Sequence, residues 1–308
     1  VAQSVAIPAS ENCAGCHYRG SGEISVKHGN VDESLFFPSE VIDVHMKSHN
    51  FICVDCHRVN VMTLNLSHRN RNDCTECHNN NLHQDERLNM HTDSVACQTC
   101  HIPDVEPTKS YWDWSVAAEQ PLTEVEADKR IKLNGSFVYE KNRIPEYRWY
   151  NGTSKRYILG DEIDPKKPIY IKLPMGDIKD ADAKIWPFTI HIAKQPYDSF
   201  MNILLPAKMV GEGEFDWTKA LELGAEMANL EFSGEYEFVE TEMFWPATHQ
   251  LAPKEKALQC LACHSEHGRM NWEALGYPGD PIRWGAQDRN FVLKNGNKKD
   301  EQSQRGTE

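Results

Sequence analysis

The chain has 308 residues and is acidic, with 46 Asp and Glu against 33 Lys and Arg, a formal charge of −13 and a pI near 5.5. That charge argues against nucleic acid as a partner, and no apolar run reaches the roughly 18 residues that would suggest a transmembrane span. Only 40% of residues are hydrophobic and the mean hydropathy is −0.62, so side chains alone are poor material for a core of this size.

Read from the N-terminus, Val1-Ala2-Gln3-Ser4 carries neither a charged nor an apolar leader, as expected after a signal peptide has been removed. A short phrase then recurs. Cys13 and Cys16 precede His17, Cys53 and Cys56 precede His57, Cys74 and Cys77 precede His78, and Cys97 and Cys100 precede His101. The phrase returns at Cys260, Cys263 and His264, and these five pairs account for all 10 cysteines. Cys-x-x-Cys-His is the attachment pattern of c-type haem: two thiols reach the two vinyl groups of one porphyrin, and the following His binds its iron. A zinc half-site or a redox dithiol would not require His after every pair, and a disulfide between Cys three apart would be strained. The expectation is five covalently attached haem c groups, with His17, His57, His78, His101 and His264 as proximal ligands. Haem attachment of this kind takes place outside the energy-conserving membrane, so the mature protein is expected to be periplasmic or extracellular.

The expected fold is a mainly α multihaem cytochrome c with much irregular structure around a haem-packed core, plus a small β-containing cysteine-free segment. Residues 1–101 form a four-haem N-terminal region in which each motif rides on a short helix. Ser39–His49 is helix-friendly, with Ser39 as N-cap. Residues 102–245 are a haem-free mixed α/β segment. Glu146–Tyr150, Asn151-Gly152 and Thr153–Leu159 predict a hairpin on the favoured Asn-Gly turn. Ile169–Leu173 and Thr189–Ile192 predict short strands, and Asp216–Asn229 a helix with Trp217, Ala220, Leu221, Gly224 and Met227 on its apolar face. Trp112, Trp114, Trp149, Trp186 and Trp217 are expected to pack core or haem edges. Between Glu212 and Glu242 stand ten acidic residues and one Lys, Lys219, which read as a solvated face or a docking patch. Residues 246–285 hold the fifth haem, and residues 286–308 are a polar tail.

Of 14 His, nine stand outside the motifs: His28, His45, His49, His68, His83, His91, His191, His249 and His267. That number suffices to give every iron a second imidazole. Distal ligands in packed-haem chains tend to come from short helices just ahead of another motif, which suits His91, His45 and His249. The expected distal set is His28, His45, His83, His91 and His249, with His49 and His68 in reserve.

Several longer phrases carry a resemblance. Val26-Lys-His-Gly, Asp43-Val-His-Met and Cys53-Val-Asp-Cys-His resemble the octahaem tetrathionate reductase family of cytochromes c. So do Leu88-Asn-Met-His-Thr, Val95-Ala-Cys-Gln-Thr-Cys-His-Ile-Pro, Trp112-Asp-Trp-Ser and Lys194-Gln-Pro-Tyr-Asp. Phe215-Asp-Trp, Leu258-Gln-Cys-Leu-Ala-Cys-His and Ala274-Leu-Gly-Tyr-Pro-Gly-Asp-Pro extend it over most of the chain. The resemblance supports the same distal set. It implies the family's later, five-haem portion; the earlier portion, with a lysine-ligated substrate haem, has no counterpart here, so no lysine inherits that role.

The reading that follows is a soluble pentahaem cytochrome passing electrons between redox partner proteins, partners with basic docking surfaces being suited to the acidic chain. The alternative is a reductase of a small sulfur or nitrogen oxyanion such as tetrathionate, nitrite or hydroxylamine, for which Arg58, Arg69 and Arg71 would supply cationic groups. A third is a haem-wire subunit of a homo-oligomer or a membrane complex.

Overall fold

The structure is a computed structural model, and it describes residues 8–18, 31, 33–57, 74–79, 82–105, 108–116, 123–125, 130–132, 135–140, 143–211 and 215–283. Its principal scaffold is a sheet. Eight strands take part: β1 (Thr108–Asp113), β4 (Ser136–Glu140), β5 (Glu146–Tyr150), β6 (Ser154–Arg156), β7 (Ile169–Pro174), β8 (Lys184–Asp198), β9 (Ile203–Leu204) and β11 (Tyr236–Pro246). Their order is β4-β1-β8-β11-β7-β6, with β5 and β9 also pairing with β8. The sheet is mixed: β1 runs parallel to β8 and β7 parallel to β11, while β8 and β11 pair antiparallel from Tyr236↔Asp198 to Pro246↔Phe188. A separate small sheet joins β2 (Thr123–Val125), β3 (Arg130–Lys132) and β10 (Val210–Gly211).

The helices are short: α1 (Ser10–His17), α2 (Val44–Ser48), α3 (Cys53–Cys56), α4 (Glu86–His91), α5 (Cys97–His101), α6 (Trp217–Met227) and α7 (Cys260–Cys263). The expectation of a mainly α fold therefore does not hold. A haem motif needs only one helical turn to aim two thiols and an imidazole, so five motifs generate little helix. The cysteine-free segment, expected to hold a small β part, instead supplies the sheet that carries the rest.

Long-range pairing also corrects the hairpin. β5 pairs with β8 and β6 with β7, so Asn151-Gly152 steps the chain between two partners rather than folding it back on itself. Thr189–Ile192 is the middle of a 15-residue strand. The helix expected over Asp216–Asn229 is α6, capped by Asp216, whose side chain accepts from Lys219 N–H at 2.9 Å. It buries Ala220, Leu221, Gly224 and Ala225, but Met227 points to solvent rather than joining that face. Gly224 is needed at the contact, because a Cβ there would stand 2.0 Å from the Pro206 carbonyl oxygen. In the N-terminal region the cap of α2 is Asp43, not Ser39, whose carbonyl instead closes the preceding turn onto Ile42 and Asp43.

Aromatic side chains form the centre of the sheet. Phe188 of β8 and Phe244 of β11 are each 1% exposed and meet edge-on at 6.1 Å, with Tyr150 of β5 5.5 Å from Phe188. A second cluster sits where β5 and β8 begin to face the motifs: Tyr147, Trp149 and Ile185 pack with Leu275 and Tyr277 from beyond α7. Trp149 Nε1 donates to the Leu275 carbonyl at 2.8 Å, tying the sheet to the segment after the fifth motif. Among the described residues no helix is long and apolar enough to cross a membrane.

Candidate haem sites

Each motif makes about one turn of helix, and that turn has a simple physical origin. The N–H of His57, His78 and His264 donates to the carbonyl of Cys53, Cys74 and Cys260 respectively, each at 2.8 Å. The bond winds the five residues so that both cysteines and the imidazole fall on one side. α1, α3, α5 and α7 carry four motifs, and a 3-10 turn at Cys74–Glu76 carries the other. No disulfide joins any of the 10 cysteines. Among the described residues no three His, Cys, Asp or Glu side chains converge on a metal-sized point.

The imidazoles converge in pairs. His57 and His249 have ring centroids 5.9 Å apart, His45 and His78 6.0 Å, His91 and His264 6.2 Å, and His83 and His101 6.4 Å. In every pair one ring follows a Cys-x-x-Cys and the other comes from outside the motifs. A bond of about 2 Å from a metal to each imidazole nitrogen puts the centroids of two trans rings about 6 Å apart. The slots therefore have the width of one iron between two imidazoles, beside two thiols, and the residues present fit haem c. The pairs cross over in sequence: His45, His91 and His249 each stand just ahead of one motif and face the histidine of another.

Local hydrogen bonds aim the non-motif rings. Asp43, buried, accepts from the N–H groups of His45 and Met46 at 3.0 Å through Oδ1, and from Leu251 N–H at 3.3 Å through Oδ2. It thus fixes α2, which carries His45, to the segment that follows His249. Asp85 caps α4 by accepting from Arg87 N–H at 3.0 Å. One turn on, Asn89 holds His83 from both sides, accepting from its N–H at 3.0 Å and donating to its carbonyl at 2.9 Å. His91 Nδ1 meets the Arg87 carbonyl at 2.6 Å, which puts the proton on Nδ1 and leaves Nε2 for a metal. One short helix thereby positions two rings of two different pairs.

Electrostatics favour the ligating form of these rings. Burial lowers the pKa of His45, with His78 and His49 adding to the effect against Asp43. Burial likewise lowers His101, helped by His83 and His78. Neutral imidazole is the form that binds metal.

The attachment points are neighbours in chain order. The Cys13 thiol is pushed up by burial and by the adjacent Cys53, with which it shares a hydrogen bond. Burial raises Cys56, to which Asp43, Asp55 and then Cys77 add. Gln98 Nε2 approaches Cys74 Sγ at 4.0 Å, linking the third motif to the fourth. Burial pushes Cys100 to about 12 and Cys263 to about 11, and Cys263 contributes to the rise at Cys100. Both would be protonated at neutral pH, and haem c would be held there by addition of each S–H across a vinyl C=C, which needs no oxidant or reductant.

The fourth motif is bolted to the sheet. Thr99, inside Cys-x-x-Cys, donates through Oγ1 to the Ile185 carbonyl at 2.7 Å, and Ala96 N–H reaches the same carbonyl at 3.0 Å. At the fifth, His264 Nδ1 lies 2.7 Å from Asp280 Oδ1 and its ring stacks on Trp272 at 5.1 Å. Sequence reasoning missed Asp43, Asn89, Thr99, Trp272 and Asp280. Asp43 was visible as an N-cap two residues before a ligand candidate, and Asp280 stood inside a family-like phrase without a role. His17 closes α1, whereas His28 and His68 lie outside the described residues, as do Arg58, Arg69, Arg71, the residues from 284 onward and the start of the acidic run at Glu212. His49 stands 6.4 Å from His45, but as its exposed neighbour one turn along the same segment, not facing it across a slot. His191 lies within β8 opposite Met243, and His267 is exposed.

Repeated pairs of thiols beside imidazole slots define a multihaem c-type cytochrome. A family model described as bacterial cytochrome c matches residues 109–267, and the solved structure of an octahaem cytochrome c from Shewanella oneidensis matches at 40% identity. The second match covers 92% of this chain and 69% of that one, with a TM-score of 0.77. No curated protein matches. The chain belongs to the bacterial cytochrome c family and is a relative of the octahaem cytochromes c.

Proposed function

We propose that the chain is a pentahaem electron-transfer cytochrome working in the periplasm or outside the cell, with every iron held between two histidines. The observation that carries this reading is the set of four histidine pairs, each one iron wide and each drawn from distant parts of the chain. His17, His57, His78, His101 and His264 are the proximal ligands. His249, His45, His83 and His91 serve the second to fifth motifs in that order, which leaves His28 for His17.

Haem c supplies reversible one-electron exchange at iron. The chain's own residues do the rest. Asp43, Asn89 and the Arg87 carbonyl hold His45, His83 and His91 in place, and a pair of imidazoles on each iron would suit either oxidation state, so little rearrangement would accompany exchange. The succession of neighbouring attachment cysteines keeps five groups in one continuous run. The acidic surface would meet partners whose docking faces are basic.

Electron paramagnetic resonance of the redox-poised holoprotein tests the reading. All resting signals should be low-spin. The imidazole planes of His83–His101 and His57–His249, 25° and 30° apart, should give rhombic signals. The 80° pair His91–His264 and the 66° pair His45–His78 should give the large-g type. A high-spin ferric signal together with turnover of tetrathionate, nitrite or hydroxylamine would replace this reading with that of a reductase.

A further inference from the structure

Asp280 takes no part in holding haem by thiol or imidazole, yet it is buried to 8% exposure and touches a ligand. Its Oδ1 is shared between His264 Nδ1 at 2.7 Å and the Ile282 N–H at 3.0 Å. Its Oδ2 is buried and, among the described residues, accepts no hydrogen bond; the cation beside it is Arg283, Nε at 3.9 Å, whose side chain is half exposed. A carboxylate in that position is under-compensated, and a buried charge needs a countercharge. The electropositive centre within reach is whatever His264 binds. Trp272, stacked on the imidazole, prevents the ring from turning away.

The opposite ring of the slot is treated similarly. His91 Nδ1 donates to the Arg87 carbonyl at 2.6 Å, so both imidazoles of this site are hydrogen-bonded to acceptors. Each bond strengthens its imidazole as a donor, and a stronger donor pair favours the more positive metal. The neighbouring slot differs. His83 Nδ1 is buried with no hydrogen-bond partner among the described residues.

Resting on the bis-histidine reading, we propose that Asp280 is a positioning and tuning residue: its carboxylate orients His264 and sets the His91–His264 site at a lower reduction potential than the adjacent His83–His101 site. One electron then moves downhill from the fifth motif towards the fourth, with no proton transferred, and the C-terminal site is where a low-potential donor delivers.

The test is a potentiometric titration of the holoprotein followed by paramagnetic resonance, because the 80° and 25° pairs give different signals. With Asp280→Asn, the reduction equilibrium of the large-g signal lost on His91→Ala should shift tenfold or more towards ferrous iron, about 59 mV for one electron. The rhombic signals should keep their midpoints, and Asp280→Glu should restore most of the shift. An unshifted midpoint with the signal intact, or an equal shift of both kinds of signal, overturns the tuning role. If His91→Ala leaves every low-spin signal in place, the ligand pairing itself fails and the proposal with it, an outcome distinct from a null result at Asp280.

Discussion

The sheet and the motif region solve the same problem, filling an interior, in different ways. Around β8 and β11 the chain supplies its own core, with Phe188, Phe244 and Tyr150 in edge-on contact and Leu221 and Ala225 of α6 packed with Leu205. Among the described residues ahead of β1 the buried apolar ones are few. Ala14, Tyr18 and Leu35 form one small cluster, while Phe37 is 93% and Met90 62% exposed. The difference points to where haem would be structural: the sheet stands on protein contacts, and porphyrin would complete the inside of the motif region.

The largest effect should come from withholding the cofactor. In chain made without haem attachment, amide hydrogen exchange should show β8 and β11 still protected, with α5 tied to β8 through Thr99 and Ala96, and α1 to α4 unprotected, because they lack a comparable protein core. Far-ultraviolet circular dichroism should lose the cooperative melting transition of the motif region. Native-like protection across α2 to α4 in the haem-free chain would erase the contrast between the two regions.

The motif region was the legible part of the sequence, and the sheet was not, for physical reasons. Cys-x-x-Cys-His is local chemistry, complete within one turn, so attachment sites can be read residue by residue. Strand β8 spans Lys184–Asp198 with Pro187 and Pro196 inside it, and proline ordinarily argues against an interior strand, so the pattern broke into a short fragment. Its partners are also remote: β1 and β8 pair in parallel as Trp112↔Ala193, which no local window displays. Asn151-Gly152 has the composition of a hairpin turn, but tertiary pairing of β5 with β8 overrode it. The candidate distal histidines could be proposed from their places ahead of motifs. Which faces which could not, because His249 meets His57 and His91 meets His264 only in the folded chain.

A core substitution in the sheet asks whether that scaffold also governs the motifs fixed to it. Phe188→Ala removes a ring that touches both Tyr150 and Phe244 and should cost about 3–5 kcal/mol in denaturant unfolding of the holoprotein. The loss should appear first as weakened protection at the junction of β8 with Ser94–Thr99, where the backbone bonds of Ile185 are made. The environment of α1, which makes none of those bonds, should be disturbed last. Equal loss at both ends would mean that the two regions unfold as one unit and that the sheet is not a separable platform.

The smallest effect tests the bolt between the regions. Thr99→Val keeps the shape of the buried side chain and deletes the hydroxyl that donates to the Ile185 carbonyl at 2.7 Å. Because Ala96 N–H still occupies that carbonyl at 3.0 Å, no acceptor is stranded, and the cost should be about 1 kcal/mol, with Thr99→Ser close to wild type. The more telling readout is local. α5 carries both the cysteines and His101 of the fourth motif, so loosening it should broaden the rhombic signal of the 25° pair while leaving the 80° pair unchanged. If both signals keep their width and exchange at Ala96 to Thr99 is unaltered, the hydroxyl merely fills space, and the fourth motif owes its position to the Ser94 and Ala96 backbone bonds alone.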